Sequence, residues 1–248
     1  MQTRVALVTG GTGGIGTAIC RLLTQQGCRV AAGFLPSERE AASAWREAQQ
    51  AQGYDIAIVA GDVRSFQSSG DMVRAVEASL GPLDILINAA GIARDKTLRK
   101  MDQEQWYAVI DTNLNSAFNV TRHAVDGMAS RRFGRIVNIG SVNGQRGQFG
   151  QTNYSAAKAG LHGFTMALAQ EVAVHHVTVN TISPGYIETP MVMAVPEDVR
   201  KNIIAHVPMG RLGTPQEVAV VVGFLADPRS SYVTGANVPV NGGLYMSS

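Results

Sequence analysis

The chain has few of the features that mark a secreted, membrane-bound or nucleic-acid-binding protein. Two cysteines among 248 residues, Cys20 and Cys28, make no disulfide framework and read as reduced thiols of a cytoplasmic protein. Charged residues make up 16% of the chain, where an ordinary globular domain carries about 25%. The net charge is +2, from 21 basic and 19 acidic residues, and no basic block offers a surface to phosphates. This argues against nucleic-acid and membrane partners. The longest apolar run, 218–226, is too short to span a bilayer and reads as a buried helix. Near the start, a single Arg4 precedes the apolar 5–8, a pattern that reads as a strand rather than a signal peptide. The five histidines are not spaced with acids or cysteines as a zinc site requires, so no metal is expected.

Glycine, in contrast, is abundant at 27 residues, and hydrophobic residues reach 45%. That apolar content excludes wholesale disorder, and the glycine excess points to tight turns and close backbone approaches. Short apolar runs at 5–9, 29–34, 56–60, 83–88, 135–139 and 177–183 alternate with helical patterns near 14–26, 38–52, 66–80, 102–130 and 152–174. A last helix near 215–226 precedes a short run at 237–240. Continuous apolar strands alternating with helices predict a parallel sheet covered on both faces. The expected fold is α/β, a Rossmann-type doubly wound parallel sheet in three layers, one domain spanning 1–248. Segment 190–212, with three prolines and three methionines (Met191, Met193 and Met209), breaks the rhythm and reads as a lid over a site, with a surface insertion as the alternative.

The first run passes directly into Gly10-Gly11-Thr12-Gly13-Gly14-Ile15-Gly16 and then a helix. Glycines allow a sharp turn and close approach of a pyrophosphate, and the helix N-terminus adds free N–H groups and a positive dipole end. The strand context predicts a dinucleotide site. The second run ends at Phe34 without the acid that would read the ribose hydroxyls of NAD. Ser37 and Arg39 come next, a hydroxyl and a guanidinium suited to a 2′-phosphate, so NADP(H) is the expected cofactor. Downstream, Tyr154 and Lys158 lie four residues apart, on one face of a helix. A nearby ammonium favours the phenolate, so this pair is a candidate proton donor with its own tuner. Ser141 is placed to donate to the same carbonyl oxygen.

With these motifs in order, the chain resembles a short-chain dehydrogenase/reductase over nearly its whole length. The resemblance rests on the glycine loop, Asp62-Val63, Asn88-Ala89-Ala90-Gly91, Asn113, Ser141, Tyr154 with Lys158, and Ser183-Pro184-Gly185. The family usually has Asn where this chain has Ala89. The resemblance implies that Tyr154 is the general acid and that Lys158 holds the nicotinamide ribose and lowers the Tyr154 pKa. It implies that Ser141 polarises the carbonyl and Asn113 holds a water linking Lys158 to solvent. It also implies cofactor contacts from Gly10, Thr12, Gly14, Ile15 and Gly16, from Asp62 and Val63 at the adenine, and from Asn88, Ala89 and Gly91 at the adenosine ribose. Pro184, Gly185, Ile187 and Thr189 complete the implied set on the nicotinamide side.

The stretch 141–154 lies between the catalytic residues and resembles the acetoacetyl-CoA reductases of polyhydroxybutyrate synthesis. That resemblance implies reduction of acetoacetyl-CoA to (R)-3-hydroxybutyryl-CoA, with Gln148, Gln151 and Tyr186 around the acyl group and Phe149 closing its apolar side. Bracing of Ser141 is the alternative role for this loop. A 3-oxoacyl-(acyl-carrier-protein) reductase shares the chemistry, and Arg131, Arg132 and Arg135 are its candidate landing patch for an acidic carrier. These arginines equally suit a helix C-terminus. A non-catalytic NADP(H)-sensing regulator would have no reason to keep Asn113, Ser141, Tyr154 and Lys158 together. The family resemblance also implies a homotetramer built on the helices near 102–130 and 152–174.

Overall fold

Strand by strand, the apolar runs pair side by side in one parallel sheet. The computed structural model describes residues 3–246; Met1, Gln2, Ser247, Ser248 and the side chain of Met191 lie outside the described residues. The strands are β1 (Val5–Thr9), β2 (Arg29–Phe34), β3 (Ile56–Ala60), β4 (Ile85–Asn88), β5 (Gly134–Ile139), β6 (Val177–Pro184) and β7 (Asn237–Val240). Their spatial order is β3-β2-β1-β4-β5-β6-β7, with every pairing parallel. The principal helices are α1 (Gly14–Gln25), α2 (Arg39–Ala51), α3 (Phe66–Leu80), α4 (Gln103–Ile110) and α5 (Ser116–Ser130). They continue with α6 (Asn143–Arg146), α7 (Thr152–Val172), α8 (Pro190–Met193), α9 (Glu197–Ala205) and α10 (Pro215–Ala226).

Side chains of a strand alternate faces, so each strand feeds two cores. Ala6, Val8, Val30, Ile85, Val137 and Ile182 pack with Ile19 and Leu23 of α1 and Val218 and Val222 of α10. Val5, Leu7, Ala31, Leu86, Ile136 and Val179 pack with Met72 and Val76 of α3, Val120 and Ala124 of α5, and Ala169 and Val172 of α7. The three-layer, doubly wound sheet is the architecture expected from the sequence. Strand order reverses between β1 and β4, and parallel sheets open a crevice at such a point, beyond the carboxyl ends of the strands. The turn after β1 and the segment after β4 therefore flank one cleft.

Two boundaries differ from expectation. The helix expected over 102–130 is divided by a π turn at Asp111–Asn115. A π turn places an extra residue in the spiral and rotates the helix beyond it, and such turns concentrate at functional sites. Segment 190–212 contains two short helices, α8 and α9. Its base is tied: Gly213 N donates to Tyr186 O at 2.9 Å and Glu188 N to Gly213 O at 2.8 Å. Both cysteines are free, and burial pushes the Cys20 thiol well above its ordinary value. Among the described residues, no helix is long and apolar enough to cross a membrane.

A polar chain crosses the otherwise apolar core and registers α7 against the sheet. Asn88 Nδ2 donates to Asn138 Oδ1 at 2.8 Å and to Thr121 Oγ1 at 3.2 Å. Asn138 Nδ2 donates to Thr165 Oγ1 at 2.8 Å, and Thr165 shares a 2.7 Å hydrogen bond with Thr181. All five residues are buried. Removing one partner leaves buried donors unmet, which costs about 1–3 kcal/mol per group. We expect Asn138→Ala to lose about 2–3 kcal/mol of stability, seen as a lower urea midpoint at unchanged slope. An unchanged midpoint would show that the network carries no such weight.

Candidate active site

The cleft at the strand-order reversal begins with the turn after β1. Gly10 has φ +61°, a left-handed conformation that a side chain disfavours. At Gly16 a Cβ would lie 2.2 Å from the Gly10 carbonyl oxygen, so only glycine lets the turn close on the first turn of α1. Gly13 precedes α1 without a side-chain cap, and no acid occupies the first helical turn. Elsewhere Ser65, Asp102 and Thr214 cap α3, α4 and α10 with their side chains. The N–H groups at the start of α1 are thus left for an anion. Across the cleft, a Cβ at Gly14 would come within 3.1 Å of Thr189 Cγ2. The absent side chain keeps open the space in which a pyrophosphate would lie, and the cradle fits a dinucleotide.

The cleft has a volume of about 530 Å³. Its walls include Gly10, Thr12, Gly14, Ile15, Gly16, Ala89, Gly91, Pro184, Gly185, Ile187 and Thr189, all expected from the sequence, and its floor carries Ser141, Tyr154 and Lys158. α6 packs closely on α7, because a Cβ at Gly144 would sit 2.7 Å from the Lys158 carbonyl carbon. Lys158 is buried, and its Nζ donates to Ile139 O at 2.7 Å. No carboxylate joins it among the described residues, and burial brings its pKa from 10.5 down to about 8. The Nζ lies 5.7 Å from the centroid of the Tyr154 ring.

Burial raises the Tyr154 pKa above its usual value; the Ser141 hydroxyl beside it lowers it, and the Asp95 carboxylate raises it further. The depression expected from Lys158 is not seen: burial is the largest influence on the phenol and acts in the opposite direction. Tyr154 is therefore a protonated phenol at neutral pH, ready to donate. Ser141 Oγ accepts from Asn143 N at 3.1 Å, which orients its hydroxyl beside the Tyr154 phenol. Asn113, in the π turn, clamps the segment after β4: its Oδ1 accepts from Ile92 N and its Nδ2 donates to Ile92 O, both at 2.8 Å. A Cβ at Gly91 would meet Asn113 Oδ1 at 3.2 Å and Lys158 Nζ at 3.6 Å, so these three residues converge.

Other expected residues lie elsewhere. Asn88 is inside the polar chain of the core. Both oxygens of Asp62 are held by Arg64, at 2.7–3.2 Å, which keeps that carboxyl below its usual range. Neither Asp62 nor Val63 lines the cleft. Ser37 and Arg39 are exposed on the turn and helix after β2, and the residue between them, Glu38, is the one on the cleft wall. Gln151 is engaged at both ends: Oε1 accepts from Asn143 Nδ2 at 2.9 Å and Nε2 donates to Asp95 Oδ2 at 2.8 Å. Gln148 accepts from Arg146 at 3.3 Å, and Phe149 is 87% exposed. Tyr186 lines a separate cavity of about 470 Å³ with Met209, Asn241 and Tyr245. Gly13 and Ala90, from the glycine loop and the Asn88–Gly91 motif, also line the cleft, and Glu38, Ile92, Ile139, Gly140, Pro190 and Val192 complete it without having been singled out by any motif. Most lie just beyond a strand or adjoin a motif residue, so the rule that ligands sit at strand carboxyl ends points to them.

A glycine cradle at a strand-order reversal, facing a serine, a protonated tyrosine and a buried lysine, defines a dinucleotide-dependent oxidoreductase. The chain belongs to the short chain dehydrogenase family, whose model matches residues 4–200. It uses a nicotinamide cofactor. It is 61% identical over 245 residues to an acetoacetyl-CoA reductase of Allochromatium vinosum, covering 99% of this chain and 100% of that one. It is 55% identical to an acetoacetyl-CoA reductase of Cupriavidus necator, again over 99% and 100% of the two chains. It is 45% identical to a 3-oxoacyl-(acyl-carrier-protein) reductase of Pseudomonas aeruginosa, over 100% of this chain and 99% of the other.

Tyr154→Phe removes only the donor hydroxyl, so turnover should fall by about 100-fold or more while cofactor affinity stays within about twofold. Turnover within tenfold of the parent would exclude Tyr154 as the acid. Lys158 makes stability depend on pH, because its folded pKa of about 8 lies below its ordinary 10.5. Between these values the unfolded chain binds more protons than the folded one, so stability rises with pH. Below pH 8 the folded protein bears the full cost of the buried charge, and above 10.5 both states are neutral. We expect a gain on the order of 3 kcal/mol across this window, read from urea midpoints, and its loss in Lys158→Met. Equal pH profiles for the two proteins would refute it.

Proposed function

We propose that this protein reduces the 3-oxo group of acetoacetyl-CoA to 3-hydroxybutyryl-CoA, in the (R) form, with NADPH as the hydride donor. The observation that carries the reading is the convergence of Ser141, Tyr154 and Lys158 in the cleft that the glycine cradle opens. When bound, the nicotinamide cofactor supplies the hydride. Tyr154 delivers a proton to the carbonyl oxygen, and Ser141 donates a hydrogen bond to the same oxygen and fixes its direction. Lys158 holds the nicotinamide ribose and returns the Tyr154 proton through Asn113 and water. Segment 190–212, tied at its base and contributing Pro190 and Val192 to the wall, closes over the site and excludes water.

The relatives named as acetoacetyl-CoA reductases share more of this sequence than the carrier-protein reductase does. The arginines that would greet an acidic carrier also fail to form a patch by the cleft. Arg131 donates to Leu83 O, Arg132 meets the His176 ring, and Arg135 is buried among backbone carbonyls. They adjoin the amino end of β5, whereas Ser141 lies past its carboxyl end, roughly 20 Å away at the rise of a strand. We further propose a homotetramer, since Phe118 of α5 and Met166 of α7 expose half their surface beside an apolar groove between these helices. The two free thiols suit the cytoplasm.

Glu38 on the cleft wall supports a second reading for the cofactor, NAD(H), because a carboxylate repels a 2′-phosphate and accepts from ribose hydroxyls. Initial rates with acetoacetyl-CoA and either cofactor decide between the two. If NADPH is the donor, Arg39→Ala should raise its KM by about tenfold and leave that for NADH nearly unchanged. A preference for NADH that reverses in Glu38→Gln would assign the cofactor to NAD(H). Absence of turnover with either cofactor would remove acetoacetyl-CoA as the substrate.

A further inference from the structure

Asn153 immediately precedes Tyr154 yet does not line the cleft. It is fully buried, although Thr152 beside it is exposed and Gln151 and Tyr154 are only half-buried. A buried carboxamide must have its polar atoms met, and here all of them go to backbone groups. Nδ2 donates to Arg94 O and to Gln105 O, both at 3.1 Å. Oδ1 accepts from Tyr154 N at 2.7 Å. Both amide protons and one oxygen lone pair are thereby used.

These partners belong to three segments. Arg94 lies on the segment after β4, where Asn113 clamps Ile92 from the π turn. Gln105 lies on α4, which runs into that π turn. Tyr154 lies in the first turn of α7. The N–H groups of a first turn have no intrahelical acceptors, and the turn frays unless they are met. Gln151, at the N-cap of α7, makes no side-chain cap; its carboxamide is taken by Asn143 and Asp95. Ser155 N reaches Gln151 O at 2.8 Å, so Tyr154 N is the last donor without a helical acceptor, and Asn153 meets it. Lys158 stands one turn further in, anchored to Ile139 O. Loss of the Asn153 contacts therefore loosens the Tyr154 end of α7 and leaves Lys158 in place.

We infer that Asn153 is a positioning residue for proton transfer: it ties the turn that carries Tyr154 to α4 and to the segment after β4, and so sets where the phenol meets the substrate carbonyl beside Ser141. The inference rests on the proposed reading of Tyr154 as the acid. Proton transfer requires hydrogen-bond reach, and a displacement on the order of 1 Å costs about 100-fold in rate. The glycine cradle and Lys158 are held by other contacts, so the cost falls on proton delivery rather than on cofactor binding.

The test reads kcat, KM and the solvent deuterium isotope effect on kcat in Asn153→Ala, with acetoacetyl-CoA and NADPH. We expect kcat to fall about 10- to 100-fold while the KM for NADPH stays within about threefold. The isotope effect should rise by about a factor of two, because a misplaced proton becomes part of the slow step. Asn180→Ala is the control. Asn180 is equally buried and also holds backbone groups of a distant segment, donating to Val233 O at 2.8 Å and accepting from Ala236 N at 3.1 Å. It should lower the urea midpoint comparably and keep kcat within about twofold. Asn153→Ser retains a hydroxyl for Tyr154 N and is read in the same way if the alanine variant does not fold; its kcat should lie between the two. An unchanged kcat overturns the inference, as does a lowered kcat with an unchanged isotope effect or an equal loss in Asn180→Ala. Failure of both Asn153 variants to fold would assign the residue to the fold and overturn it too. Phenolate absorbance, as the difference from the matching Tyr154→Phe protein, follows Tyr154 without any substrate. Its midpoint should fall toward the ordinary value in Asn153→Ala, since burial is what raises it, and an unchanged midpoint refutes the inference. Turnover retained in Tyr154→Phe removes the acid itself, whereas an inactive Tyr154→Phe beside a fully active Asn153→Ala removes only the role of Asn153.

Discussion

A buried ammonium without a carboxylate is the constraint around which this active site is arranged. Lys158 donates to the Ile139 carbonyl and lies deep in the interior, where an uncompensated charge is costly. The surroundings are shaped to admit it. Gly144 allows α6 to press on the Lys158 backbone, and Gly91 leaves room for Nζ beside Asn113. The result is a lysine whose affinity for its proton is reduced to the range where a proton can be exchanged.

The tyrosine one turn away answers to the same low-polarity interior in the opposite sense. Burial disfavours charge on either group, so the lysine gives up its proton more easily and the phenol holds its proton more firmly. A donor of that kind suits reduction of a carbonyl, where the oxygen must receive a proton as hydride arrives. The serine is oriented by geometry: its oxygen accepts from the Asn143 amide, and its hydroxyl lies beside the phenol.

The sheet gives these groups their common address. Every strand is parallel, so all carboxyl ends point to one edge, and the reversal between β1 and β4 opens the crevice there. The polar chain from Asn88 through Asn138 to Thr165 fixes how far α7 slides along the sheet, and so how deep Tyr154 and Lys158 reach. The arginines at the amino end of β5, the opposite edge, are absorbed into backbone and ring contacts.

The sequence by itself determined the features that depend on neighbours in the chain. Apolar alternation predicted the strands and helices, a glycine turn between strand and helix predicted the cradle, and a four-residue spacing put Tyr154 and Lys158 on one helical face. Tertiary structure decided the features that depend on residues far apart. The family pattern assigned Asn88 to the cofactor, yet its amide joins Thr121 and Asn138, 33 and 50 residues away. Gln151 is a candidate substrate contact in sequence, but in space it braces Asn143 and an aspartate 56 residues distant. The turn after β2 carries Ser37, Glu38 and Arg39 in a row, and only the backbone direction there selects Glu38 for the cleft wall. Local spacing specifies which face of an element a side chain occupies. Which partner that face meets, and whether a polar group remains free for a ligand, is settled only when the whole chain has packed.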